Sequence, residues 1–119
     1  MAGQGTMRDA VRRLDRAVRS FAASRGWGPG DYRAYVWVDE TWGQINLLLV
    51  VKSLPGKDPE VAWLAVIDYL DSDLKNDPAL RDALHLSLRT FENVSEGGIY
   101  SIGESFVPIE EWVSPSATA

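Results

Sequence analysis

Hydrophobic positions along this chain keep two different rhythms. Met7, Ala10, Val11, Leu14, Ala17, Val18, Phe21 and Ala22 recur every three or four residues, the period of one helix face, and the arginines mostly lie off that stripe. Thr6 followed by Asp9 predicts a capping-box-like start, and Gly26, Gly28, Pro29 and Gly30 predict the stop. Tyr32 to Asp39 (YRAYVWVD) and Gln44 to Lys52 (QINLLLVVK) are aromatic and β-branched and read as strands, paired as an antiparallel hairpin across DETWG.

Helical spacing returns after a type II turn expected at Leu54-Pro55-Gly56-Lys57. Asp58 caps a second helix with Pro59 at its first position, running to about Leu74 and burying Val61, Leu64, Ile67, Leu70 and Leu74. Asp77-Pro78 repeats the signal for a short third helix, Ala79 to Ala83. Leu84 to Phe91 alternates with period two and predicts a third strand. A turn at Glu96-Gly97-Gly98 and a short fourth strand over Ile99 to Ile102 would close a second hairpin. Pro108 leads either into one turn of helix, Ile109 to Trp112, or into extended chain.

The order α-β-β-α-α-β-β predicts an α+β fold: a mostly antiparallel four-stranded sheet with two main helices on one face. Residues 1–113 form one domain and 114–119 a frayed tail. Element order, the GK-containing turn and LHLSL resemble the BolA family over about Arg8 to Thr90. The family's basic, histidine-containing signature has no counterpart where this chain reads VAWLAVIDYL, so the resemblance implies a topology and none of the family's iron–sulfur or DNA-related roles.

Alternation also assigns the two sheet faces. Ala34, Val36, Val38, Ile45, Leu47, Leu49, Val51, Leu84, Leu86 and Leu88 belong under the helices. Arg33, Tyr35, Trp37, Leu48, Val50, Arg89 and Phe91 fall on the opposite face, where an antiparallel sheet normally turns polar. Large apolar side chains there mark an interaction face, and aromatics flanked by arginine are the residue types of interface hot spots. Three covers are open: the C-terminal segment with Phe106, Ile109, Trp112 and Val113, a second copy in a homodimer, or another protein.

Composition narrows the chemistry. With 119 residues and 45% hydrophobic content the chain holds enough apolar material for one core. It has no cysteine, which removes disulfides, thiolate metal sites and a cysteine nucleophile, and suits a reducing compartment. No apolar run approaches the ~20 residues of a membrane span or the hydrophobic stretch of a signal peptide, so a cytoplasmic location is expected. The net charge of −5 is unevenly placed: residues 1–25 carry six arginines against two aspartates, or +4, and the remainder carries −9. An acidic body repels a long polyanion, so nucleic acid is an unlikely partner.

Catalytic patterns are wanting. His85 is the one histidine, more suited to packing or hydrogen bonding than to catalysis. Asp39, Glu40, Asp68, Asp71, Asp73, Glu110 and Glu111 read as a solvated acidic surface. Gly26 to Gly30 follows a helix rather than a strand, the wrong context for a phosphate loop, and Asn93-Val94-Ser95 is a chance sequon. No cofactor is expected. The leading expectation is a non-enzymatic module binding a protein or itself through the aromatic face. The alternatives are a single-stranded nucleic-acid platform on the same face, or a small-ligand sensor or enzyme with a pocket between Trp42 and the second helix.

Overall fold

The computed structural model describes residues 2–54, 58–92 and 106–113, with side chains from Met7 onward. The elements are α1 (Ala2–Ser24), β1 (Tyr32–Asp39), β2 (Gln44–Val51), α2 (Pro59–Asp73), α3 (Pro78–Ala83), β3 (Leu84–Thr90), β4 (Val107–Pro108) and α4 (Glu110–Val113). Together they make an α+β fold with one four-stranded sheet in the order β3-β2-β1-β4. The expected type II turn, the Glu96-Gly97-Gly98 turn, the Ile99–Ile102 strand, the sequon and the 114–119 tail lie on or reach into residues outside the described ones.

Helix ends follow local chemistry. Asp58 accepts from the Glu60 N–H at 2.8 Å and Asp77 from the Leu80 N–H at 3.3 Å, each ahead of a helix-opening proline. Gly26 takes φ +73°, and the bonds Trp27 N–H to Ala22 O (2.9 Å) and Gly26 N–H to Ala23 O (3.0 Å) close α1 in a Schellman motif. That reversal lays Trp27 edge-on against Phe21, 5.5 Å between ring centres. The start of α1 departs from expectation. It begins at Ala2, ahead of the Thr6 cap, since no proline in residues 2–5 stops a helix from continuing toward the terminus.

β1 and β2 form the expected antiparallel hairpin, Tyr32 opposite Val51 through Asp39 opposite Gln44. Asp39 Oδ1 accepts from the Thr41 and Trp42 N–H groups, and Gly43 at φ +63° completes the turn. β3 pairs parallel to β2, Ile45 opposite Leu84 through Val51 opposite Thr90, while β4 pairs antiparallel to β1. The sheet is therefore mixed, with one parallel pair. The α2–α3 connection returns the chain to the end of the sheet where β2 begins, as a parallel neighbour requires. Of the two readings after Pro108 the helical one holds, shifted by one residue: Val107–Pro108 is extended and Glu110–Val113 makes one turn of helix.

The aliphatic face lies under the helices as expected. Ala34, Val36, Ile45, Leu47, Leu49, Val51 and Leu84 form one core with Val11, Leu14, Val18, Phe21, Val66 and Leu70, and Val38, Leu86 and Leu88 pack against it. α2 is rotated from the expected register. Leu70 and the C-cap Leu74 are buried and Ile67 packs against the core as expected, but Ala62 and Val66 are buried in place of Val61 and Leu64, which are 56% and 47% exposed. Two flanking anchors set this rotation: the Trp63 indole donates to the Leu86 carbonyl at 2.9 Å, and the Tyr69 hydroxyl meets Ser20 at 2.7 Å.

Candidate functional site

The pairing register turns the second sheet face into a small lattice. Trp37, Asn46 and His85 make one row, Tyr35, Leu48 and Ser87 the next, and Arg33, Val50 and Arg89 the third. The residues expected to form an interaction face are thus brought together, with Phe91 one residue beyond β3. Their exposure is uneven. Arg33 and Arg89 are exposed, Tyr35 and Phe91 half-buried, and Trp37 40% exposed, while Leu48 and Val50 are only 3% and 2% exposed. Alternation leaves those two aliphatics uncovered; in the folded chain they are buried.

Two aromatic contacts shape the rim of that face. The Arg33 guanidinium lies 5.7 Å from the centre of the Phe91 ring, and Phe106 packs edge-on against Trp37 at 6.2 Å. The C-terminal segment is split by the β1 edge. Phe106 reaches the aromatic face, but Ile109, Trp112 and Val113 belong to the helix-side core, and Arg8 of α1 donates to the Trp112 carbonyl at 2.9 Å. Only Phe106 of the four expected covering residues therefore contacts this face among the described contacts.

The most exposed indole of the described residues was expected to wall a pocket against the second helix, not to stand in solvent. Trp42, in the β1–β2 turn, is 76% exposed. A tryptophan inside a turn otherwise built from Asp, Glu, Thr and Gly is itself a usable signal, because turn chemistry does not call for it. Trp63 and the outward Val61 and Leu64 on α2 make a second apolar area.

A cleft of about 690 Å³ opens along β1 below the point where β4 ends, bounded by α1, the Trp27–Pro29 loop and the start of α4. Neither Trp42 nor any α2 residue lines it, so it is not the pocket expected between those two. Asp15 faces into it with 13% of its side chain exposed, paired to Arg19 at 3.0 Å. Burial pushes the Asp15 carboxyl above the usual aspartate value; the Arg19 charge and hydrogen bond oppose this, and Glu110 adds to it. The Tyr32 hydroxyl is also raised, first by burial, with Arg19 opposing and Asp15 and Glu110 adding. Tyr32 is thus a neutral hydroxyl at neutral pH, facing two carboxylates.

His85 is exposed on β3, and among the described residues no group of three or more His, Asp and Glu side chains could hold a metal ion. Comparison with known proteins returns nothing: no family model, no curated protein and no solved structure is significantly similar to this chain. The likeness to the BolA family accordingly rests on element order and the few residues of the GK-containing turn and LHLSL. No helix among the described residues is long and apolar enough to cross a membrane.

Proposed function

We propose that this protein is a cytoplasmic, non-enzymatic interaction module that binds a protein partner, or a second copy of itself, at the rim of the aromatic sheet face. The observation that carries this reading is the pair of exposed indoles on one hairpin, Trp37 at 40% and Trp42 at 76%. Leu48 and Val50 are buried and hold the sheet beneath rigid, and Arg33, Tyr35, Arg89 and Phe91 give a mixed aromatic and cationic border. Large, rigid indoles are the anchors that interfaces use, because little side-chain freedom is lost on docking. The cysteine-free composition suits a reducing compartment.

The test is sedimentation velocity over a concentration series on the wild type and on Trp37→Glu and Trp42→Glu, with circular dichroism to verify folding. A self-associating wild type and folded, monomeric variants support the homodimer form, with association weakened about tenfold or more. If the wild type is monomeric, in-cell photo-crosslinking from position 42 is compared with and without Trp37→Glu. A discrete adduct lost in the variant supports a protein partner. A monomer that gives the same pattern from both proteins sinks the reading.

A further inference from the structure

Charge and shape in the cleft between α1, β1 and α4 point to a ligand of one kind. Asp15 and Glu110 line the same hollow, and Arg19 is the guanidinium bonded there, committed to Asp15 at 3.0 Å. The other arginine of the lining, Arg33, has its guanidinium over the Phe91 ring of the sheet's second face. Glu110 makes no ion pair among the described residues. Of the two carboxylates, Asp15 is paired and largely withdrawn from water, and Glu110 has no ion-pair partner among the described residues.

The remaining wall is aromatic. Trp27 and Tyr32 lie 6.2 Å apart, tilted by 32°, and Tyr35 lines the same hollow. Trp27 is fixed there by the Schellman turn at Gly26 and by its edge contact with Phe21. The Asp31 carboxylate, accepting from the Gly28 N–H at 2.7 Å, braces the loop between Trp27 and Tyr32. Electron-rich ring faces beside carboxylates are the elements with which proteins hold organic cations. The volume falls within the range of about 300 to 1,000 Å³ typical of small-ligand sites.

We propose that this cleft binds an organic cation: an alkylammonium group set between Asp15 and Glu110, with its carbon body against Trp27 and Tyr32. An anionic ligand would meet the unpaired Glu110, and a neutral one would leave the charge imbalance in place. The ammonium arrives either on a free small amine or on a lysine side chain of another protein. The cleft shares Arg33 and Tyr35 with the border of the aromatic face but contains neither Trp37 nor Trp42, and its test reads Trp27, Asp15 and Glu110, which that face does not use.

The experiment is an NMR titration of the ¹⁵N-labelled full chain with tyramine. Tyrosol, which carries a hydroxyl in place of the amine, is the control, and an acetylated, amidated Gly-Lys-Gly peptide is the second arm. Saturable shifts of the Trp27 indole and the residue 27–35 amides with tyramine, at a Kd of about 1 to 10 mM or better, are expected. Tyrosol should leave those signals in place. Asp15→Asn and Glu110→Gln should each weaken binding about tenfold, and Glu110 is exposed, so its variant keeps the fold. Tighter binding of the peptide assigns the lysine source, and tighter binding of tyramine the free amine. No saturable shift with either cation, equal shifts with tyrosol, or unchanged affinity in the Glu110→Gln protein would overturn the proposal.

Discussion

Asp15 shows how one residue's surroundings set both its proton affinity and its use. Its carboxyl is desolvated between α1 and α4, and the exposed Arg19 only partly offsets that loss, because solvent screens an exposed guanidinium. The groups facing it are Arg19 from α1, Tyr32 from β1 and Glu110 from α4. A raised native pKa means the folded protein holds this proton more tightly than the unfolded chain does. The associated stability is full at and below the ordinary aspartate value of 3.8 and is lost as pH rises through the raised native value. Asp15→Asn removes that loss. Urea unfolding of both proteins from about pH 3 to pH 7 should show the wild type losing stability relative to the variant as pH rises. Parallel profiles, or the wild type gaining ground, would mean that pairing with Arg19 outweighs burial. The same carboxylate must be ionised to hold a cation, so the residue's destabilising state is the one its proposed ligand would need.

Individual elements were largely legible in the sequence; their rotation and cover were not. The aspartate–proline pairs at Asp58 and Asp77 marked both helix starts because cap chemistry is local. The face of α2 was misread because the helix carries two apolar stripes, and spacing alone cannot rank them. The choice falls to Trp63 and Tyr69, whose partners, Leu86 and Ser20, lie far away in the chain. Leu70→Ala should therefore destabilise by about 2 to 5 kcal/mol, whereas Leu64→Ala should change stability by about 0.5 kcal/mol or less. Denaturant unfolding checks both, and comparable losses would argue against the rotation. In β2 the missed signal was in plain sight. Leu47 to Val51 is a continuous apolar run, all five residues buried, as befits a strand with neighbours on both sides and cover on both faces. Reading that run by alternation left Leu48 and Val50 without cover.

At the scale of the whole molecule, strand neighbours were the least legible feature, since period-two alternation states which way a side chain points and nothing about which strand lies alongside. Leu84, Leu86 and Leu88 suit a hairpin or a parallel crossover equally well. The resulting sheet has two edges, and each carries a protective device. On one side β4 is two residues long and includes a proline, which has no N–H to offer a further strand. On the other, the carbonyls of Leu86 and Leu88, alternate residues of β3, accept from the Trp63 indole and the Arg89 guanidinium instead of from a neighbouring strand. Trp63 thus orients α2 and closes the β3 edge with one bond. Trp63→Phe keeps an aromatic ring against β3 and removes only the donor, so unfolding should lose about 1 kcal/mol, the usual net worth of one hydrogen bond. The more telling effect should be on assembly: with Leu86 released, static light scattering over a concentration series should report higher-order association that the wild type lacks, enhanced when Arg89→Ala is added. If the double variant scatters like the wild type, β3 is protected by something other than these two side chains. If it assembles while remaining folded, the edge is held closed by side chains rather than by strand length, and association of the wild type must run through the indole-bearing hairpin instead.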